Sequence, residues 1–219
     1  FMSKKILITG GNGFIARSLY NKCNSLYDLK KVCRKELDLN DSNAVYDLLK
    51  RNRFDIIIHT ATYDAAPKDS PKDPSLVLEK NLNMFFNLAR CSDYYGKMLY
   101  FGSGAEFGRT FWKPRMKESY FDINVPSDQY GFSKYIMTKY TQKTKNIYNM
   151  RLFGLHGELD DWRYRFISNA CCHAVFDMPI NIHQNAFFDF SRITGAANQS
   201  YFSCEIENGK IMLSRTIDL

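Results

Sequence analysis

The chain has 219 residues, enough for one large domain or one domain with a small appended lobe, and its 45% apolar content is ample for a core. No stretch approaches the roughly 18 consecutive apolar residues that span a bilayer, so no membrane partner is expected. The formal net charge is +7, but Lys and Arg are interleaved with 23 acids, without the dense basic tract or aromatic motif of nucleic-acid binders. A solvated basic surface that suits a polyphosphate ligand is the better reading, and no nucleic-acid partner is expected. Six cysteines (Cys23, Cys33, Cys91, Cys171, Cys172, Cys204) lack metal-ligand spacing, and no secretory leader precedes the first apolar run. They are expected to be reduced thiols of a cytoplasmic protein, with no metal; Phe1 ahead of Met2 is expected to be a cloning remnant.

Lys5 to Ala16 is the most informative stretch. A short apolar run, Ile6-Leu7-Ile8-Thr9, breaks into Gly10-Gly11-Asn12-Gly13 and then into a helix-like stretch beginning Phe14-Ile15-Ala16. Glycines in such a turn let the backbone approach a pyrophosphate, and the helix that follows aims free amides and its positive end at the charge. Glycine-rich turns are common for steric reasons alone; the strand before and the helix after are what point to a dinucleotide.

Strand and helix then alternate. Leu29 to Cys33 reads as a short strand, Ser42 to Lys50 as a helix capped by Asp41, and Asp55 to His59 as a strand of a sheet covered on both faces. A loop with Pro67, Pro71 and Pro74 precedes a helix from about Ser75 to Arg90; Met98 to Phe101 is the next strand. A helix from about Asp128 to Lys145 and Ile147 to Phe153, counted as the sixth strand, complete an open, doubly wound parallel α/β sheet, Rossmann-like, over residues 1–157. From there to residue 219 a small lobe is expected over the carboxyl edge of the sheet. It would hold a helix from Arg165 to Phe176, a short strand Ile180-Asn181-Ile182 and a hairpin about Glu207-Asn208-Gly209-Lys210.

Tyr130 and Lys134 stand four residues apart on one helix face. At about 4 Å and an effective dielectric near 20, an ammonium stabilises a phenolate by about 4 kcal/mol. At about 1.4 kcal/mol per unit this would bring a tyrosine pKa from about 10 to roughly 7, where it can exchange a proton at physiological pH. Tyr27 with Lys31, Tyr46 with Lys50 and Tyr135 with Lys139 share the spacing and read as ordinary surface or core helix pairs. Tyr130 differs because it follows a buried strand ending in Phe101-Gly102-Ser103-Gly104, which sets the Ser103 hydroxyl at the carboxyl end of the sheet, where open α/β folds bind ligands. A serine there can equally be an ordinary turn residue.

The chain resembles the extended short-chain dehydrogenase/reductases, the NAD(P)-dependent nucleotide-sugar epimerases, dehydratases and reductases, over residues 4 to 190. Thr9 to Ala16 is similar to that family's T-G-x-x-G-x-x-G loop, with Ala16 for the last glycine. Ser103-Gly104-Ala105-Glu106-Phe107-Gly108 resembles its S-x-x-x-Y-G segment, Tyr130 and Lys134 its Y-x-x-x-K pair, and Asn81 falls where it keeps a helix asparagine. Residues Glu36 to Asp41 and the short second strand look most like GDP-fucose synthase and dTDP-4-dehydrorhamnose reductase.

The resemblance implies a proton donor or base at Tyr130, a hydroxyl at Ser103 that holds the reacting oxygen, and Lys134 beneath the phenol and on the nicotinamide ribose. It also implies cofactor contacts from Gly10, Gly13, Phe14, Ile15, Arg34, Asp38 and Leu39, from Ala61, Thr62 and Asn81, and from Tyr130 and Lys134. His59 and Thr60 would border the ribose side, though His59 reads as an ordinary strand-end histidine. The substrate would be a nucleoside-diphosphate-linked 4-keto sugar, reduced or epimerised, and the assembly a homodimer. NADP(H) is favoured over NAD(H): Arg34 and Lys35 follow the second strand, where NAD binders keep an acid.

There are departures from the pattern. The family's N-x-Y-G reads Gly154-Leu155-His156-Gly157 here, and Arg165 stands near where GDP-fucose synthase carries a second acid, which argues against fucose-type epimerisation. After Phe188-Asp189-Phe190 the match fades, so the substrate lobe is expected to be short, altered or truncated. An alternative is a cofactor-binding protein of the same fold without turnover, acting as regulator or assembly partner. The intact Ser103, Tyr130 and Lys134 favour the enzyme.

Overall fold

Alternate residues of strand β1 (Lys5–Thr9) belong to different cores. Leu7 joins Ile57, Phe85, Leu88, Met98 and Met137 on one face of the sheet, while Ile6 and Ile8 pack with Ala16, Leu19, Ile56 and Ile58 on the other. Each such side chain contributes roughly 1.5–3 kcal/mol by leaving water, and a strand apolar on both faces is what a doubly covered sheet requires. The computed structural model of the chain describes residues 3–65, 70–113, 116–181, 188–192, 201–207 and 210–216, the last three stretches as backbone.

The chain forms two compact units, Phe1–Phe111 with Tyr120–Arg151, and Trp112–Ser119 with Leu152–Leu219. In the first, β1 is followed by α1 (Phe14–Cys23), β2 (Asp28–Val32), α2 (Ser42–Asn52), β3 (Phe54–His59), α3 (Val77–Ala89), β4 (Tyr95–Ser103), α4 (Gln129–Thr141) and β5 (Ile147–Leu152). The five strands make a parallel sheet in the order β2-β1-β3-β4-β5, with Ile6 opposite both Leu29 and Ile56. The segment counted as a sixth strand is thus the fifth; Glu36 and Leu37 close a turn on the Cys33 carbonyl instead of adding a strand.

Two of the helices begin on side-chain acceptors. Asp41 Oδ1 takes the amides of Asn43 and Ala44 at 3.0 Å to start α2, and Arg53 ends it in the left-handed region at φ 50°. Asp128 Oδ1 takes the Gly131 amide at 2.8 Å to start α4. Among the described residues no helix is long and apolar enough to cross a membrane.

The second unit holds a four-stranded sheet, β6 (Gly154–His156), β7 (Phe188–Arg192), β8 (Tyr201–Glu207) and β9 (Lys210–Thr216), in that order, with α5 (Phe166–Val175) between β6 and β7. Because β6 pairs with β7, residues 154–156 belong here, so the division falls before the expected residue 157. The hairpin strands pair antiparallel up to Glu207 and Lys210, while Asn208 and Gly209 lie outside the described residues. Ile180 and Asn181 are not in a strand, and Ile182 lies outside the described residues. Asp177 adopts φ 53°, the Met178 amide donates to the His173 carbonyl at 2.8 Å, and His173 Nδ1 stands 2.6 Å from the Pro179 carbonyl. The segment therefore folds back on the end of α5 instead of offering a free edge.

Candidate active site

The turn after β1 is shaped for close approach. Gly10 has φ 70°, and a Cβ there would stand 2.8 Å from the backbone of Ala61; the Gly11 amide bonds the Val32 carbonyl at 2.8 Å and the Gly13 amide the Gly10 carbonyl at 2.7 Å. Gly13 is the N-cap of α1 and has no side chain to cap the first amides, so an anion is the natural partner of that helix end. Phe14 and Ile15 stand in its first turn.

Beside this turn lies a cleft of about 370 Å³. Of the residues singled out in the sequence, Gly10, Gly13, Arg34, Asp38, Leu39, Ala61 and Thr62 line it; Phe14, Ile15, Asn81, Tyr130 and Lys134 do not. Arg34 extends into solvent with an ion pair to Asp38 at 3.6 Å. The Asp38 carboxyl is held below its usual range chiefly by the Asn40 amide and side chain. Lys72, Lys80, Asn40 and Tyr63 also line the cleft and carry no motif signal; only the basic character of the loop before α3 hints at Lys72, and Lys80 stands in α3 itself.

Asn81 is buried, and its polar groups are consumed within the fold. Its Nδ2 donates to the carbonyls of Tyr63 and Val77 at 2.8 Å, and its Oδ1 accepts from the Tyr63 amide at 2.8 Å and Thr62 Oγ1 at 3.2 Å. Its contacts therefore hold Thr62 and Tyr63, which line the cleft, in place.

Ser103 ends β4, and Tyr130 and Lys134 stand one turn apart in α4. Lys134 Nζ donates to the Phe101 carbonyl at 2.9 Å and lies 4.7 Å from the Tyr100 ring centroid and 5.6 Å from that of Tyr130. Burial lowers its pKa to about 7, opposed by the Asp64 charge. The four-residue spacing predicts an ammonium beside the phenol. Loss of hydration instead makes its charge titrate near neutrality. Ser103 Oγ accepts the Ala105 amide at 3.2 Å, capping a short 310 turn (Gly104–Phe107) and leaving its own proton to donate. Arg109, without any sequence signal, lies 5.6 Å over the Tyr130 ring and 3.5 Å from Asp128.

His59 is a core residue. Its Nδ1 lies 2.8 Å from Thr9 Oγ1, its ring stacks on Tyr100 at 6.0 Å, and burial, with the Lys134 charge, lowers its pKa to about 3. The other Tyr/Lys pairs differ from Tyr130 and Lys134 in kind. Tyr135 and Lys139 both bind Asp122, whose hydrogen bond raises the Tyr135 pKa. Tyr46 and Lys50 are exposed on α2, and Tyr27 and Lys31 share no helix, since Lys31 is in β2 with its nitrogen over Tyr20.

Known proteins agree with this architecture. Over 90 residues, 41% of this chain and 29% of the relative, the sequence is 30% identical to GDP-L-fucose synthase of Azorhizobium caulinodans. The fold is similar to that of the GDP-mannoheptose C4 reductase of Campylobacter jejuni solved with NADP bound, with a TM-score of 0.72 and 17% identity over 87% of this chain and 69% of that one. It is also similar to dTDP-4-dehydrorhamnose reductase of Bacillus anthracis in complex with NADP, with a TM-score of 0.61 and 20% identity over 80% of this chain. The chain spans 61% of that reductase's length. The model of the NAD dependent epimerase/dehydratase family matches residues 6–184, and the chain belongs to that family.

Proposed function

We propose that the chain binds NADP(H) and acts on a nucleoside-diphosphate-linked 4-keto sugar by reduction or epimerisation. The observation that carries this reading is the buried Lys134, bonded to the Phe101 carbonyl one helical turn beyond Tyr130 and beside the turn capped by Ser103. The glycine cradle, the uncapped start of α1 and the cations on the cleft fit a dinucleotide phosphate. NADPH supplies the hydride when bound.

Gly10 and Gly13 let the backbone close on the pyrophosphate, and Arg34, with Lys35 after the same strand, faces the 2'-phosphate. Ser103 donates a hydrogen bond to the keto oxygen and orients it, keeping its own proton. Tyr130 delivers the proton that this oxygen takes up as the carbonyl is reduced, or withdraws one from a sugar hydroxyl in the reverse sense. Lys134 favours the phenolate left behind when it carries its proton. The recognised solved structures with NADP support the cofactor, since the cleft stands on the same fold.

Turnover by this chain is expected to be slow, because the match to the family ends at residue 184. Incubation with NADPH and GDP-, dTDP-, CDP- or UDP-linked 4-keto sugars should show NADPH oxidation that Tyr130→Phe lowers by at least about 100-fold, with nearly unchanged cofactor affinity. Near-normal turnover in Tyr130→Phe would remove the proton-transfer role. Tight NADPH binding with no turnover of any of these sugars would favour a cofactor-binding protein without catalysis.

A further inference from the structure

Glu106 is fully buried, and the Arg151 side chain it pairs with keeps 7% exposure. One carboxylate oxygen meets Arg151 Nε, and the other accepts from Thr138 Oγ1. Asn149 Nδ2 donates to Thr138 Oγ1 at 2.8 Å and reaches the two Glu106 oxygens at 3.3 and 3.4 Å. The guanidinium lies 4.7 Å from the Phe107 ring centroid and 5.1 Å from that of Phe121. Two charges removed from water among aromatic rings are a costly way to fill a core, and apolar residues of the same volume often serve stability as well or better. What such a pair does well is fix the relative position of the segments that carry it.

Those segments are the ones that hold Ser103 and Tyr130. Glu106 follows Ala105 directly, and the Ala105 amide is what holds Ser103 Oγ. Thr138 stands four residues beyond Lys134 and eight beyond Tyr130, on the same face of α4. Asn149 and Arg151 anchor the cluster to β5. A Cβ at Gly102 would fall on Asn149 Oδ1, so the residue before Ser103 is bare where the cluster passes beneath it.

We propose that Glu106, held by Arg151, is a positioning residue: it fixes the Ser103 turn against α4 and so sets where the Ser103 hydroxyl stands relative to Tyr130. The consequence for catalysis rests on the roles proposed above for those two residues.

The test is hydrogen exchange on the whole chain, with Glu106→Gln and, as a milder cut that keeps the side-chain shape, Thr138→Val. Amides from Ala105 to Gly108 should exchange about tenfold faster or more, while those of β1 and β3 and the NADPH affinity stay within about twofold. For any nucleotide-linked 4-keto sugar the parent turns over, kcat should fall at least about tenfold with KM for NADPH unchanged. Even acceleration across the whole first unit would show mere structural support and overturn the proposal, as would unchanged exchange at Ala105–Gly108. Should Glu106→Gln fail to fold, Thr138→Val decides. Absence of sugar turnover in the parent would count against the proposed reaction alone, and the exchange pattern would still decide the positioning.

Discussion

Gly131 and Ala105 bring the first turn of α4 directly onto the Ser103 turn: a Cβ on Gly131 would stand 2.7 Å from the Ala105 carbonyl oxygen and 2.8 Å from Asp128 Oδ2. Neither neighbour can swing aside, since one is backbone and the other belongs to the carboxylate that caps the helix. Gly131→Ala should destabilise the fold by about 1–3 kcal/mol in urea melts, as overpacking does, and should lower turnover more than NADPH affinity. A variant as stable and active as the parent would mean that the two segments part freely.

Arg34 is expected to set the choice between cofactors, because it lines the cleft while most of its side chain remains in water. Arg34→Ala should weaken NADPH binding about tenfold or more in calorimetry and leave NADH nearly unchanged, since a guanidinium rewards only the ligand with the extra phosphate. Tighter binding of NADH than NADPH by the parent would refute this preference.

The first turn was legible because glycine and apolar spacing act locally: Ile6 to Gly13 determine their own strand, cradle and helix start. Asp41 was equally plain, a carboxylate just ahead of a helix, while Asp128, read as the start of its helix, is its cap. The four-residue Tyr/Lys spacing was less reliable, since it is blind to backbone. Tyr27 and Lys31 satisfy it across the start of a strand. Ile180 to Ile182 has strand composition, but Pro179 and the end of α5 claim the backbone before it. Glu106 gave no signal at all. Its partners lie 32, 43 and 45 residues away, and a lone glutamate in a turn reads as a surface residue until the fold closes over it.

His59 should make the first unit acid-sensitive. Its folded-state pKa is lowered, by burial first and by Lys134 second, from 6.5 to about 3, so the unfolded chain takes up the proton first. Its neutral form stabilises the fold fully above 6.5, and that contribution is lost as pH falls from 6.5 towards 3. At about 1.4 kcal/mol per unit, the full loss is on the order of 5 kcal/mol. His59→Gln, which can still bond Thr9, should flatten the fall of Tm with acid relative to the parent. Parallel Tm profiles for the two proteins would show that His59 charges without cost.

Asn81 is predicted to support the cleft wall indirectly. Asn81→Leu strands the amide and carbonyl of Tyr63, each costing about 1–3 kcal/mol where it stays buried. The variant should melt earlier and bind NADPH more weakly, and added NADPH should recover part of the lost Tm by mass action. Undiminished NADPH affinity in a destabilised variant would separate Asn81 from the cleft.

Gly102 and Asn149 share one volume, and this imposes an order on change. A side chain at position 102 has to push the Asn149 amide aside, away from the Thr138 and Glu106 oxygens its Nδ2 bonds, whereas a smaller residue at 149 first opens the space and releases Glu106 from one of its donors. Change at the two sites is therefore coupled: a related chain with a serine or alanine at 102 is expected to carry a smaller residue at 149, or an asparagine turned out of this pose. Transplanting either residue alone between such chains would carry half of a fitted pair into a background shaped for the other.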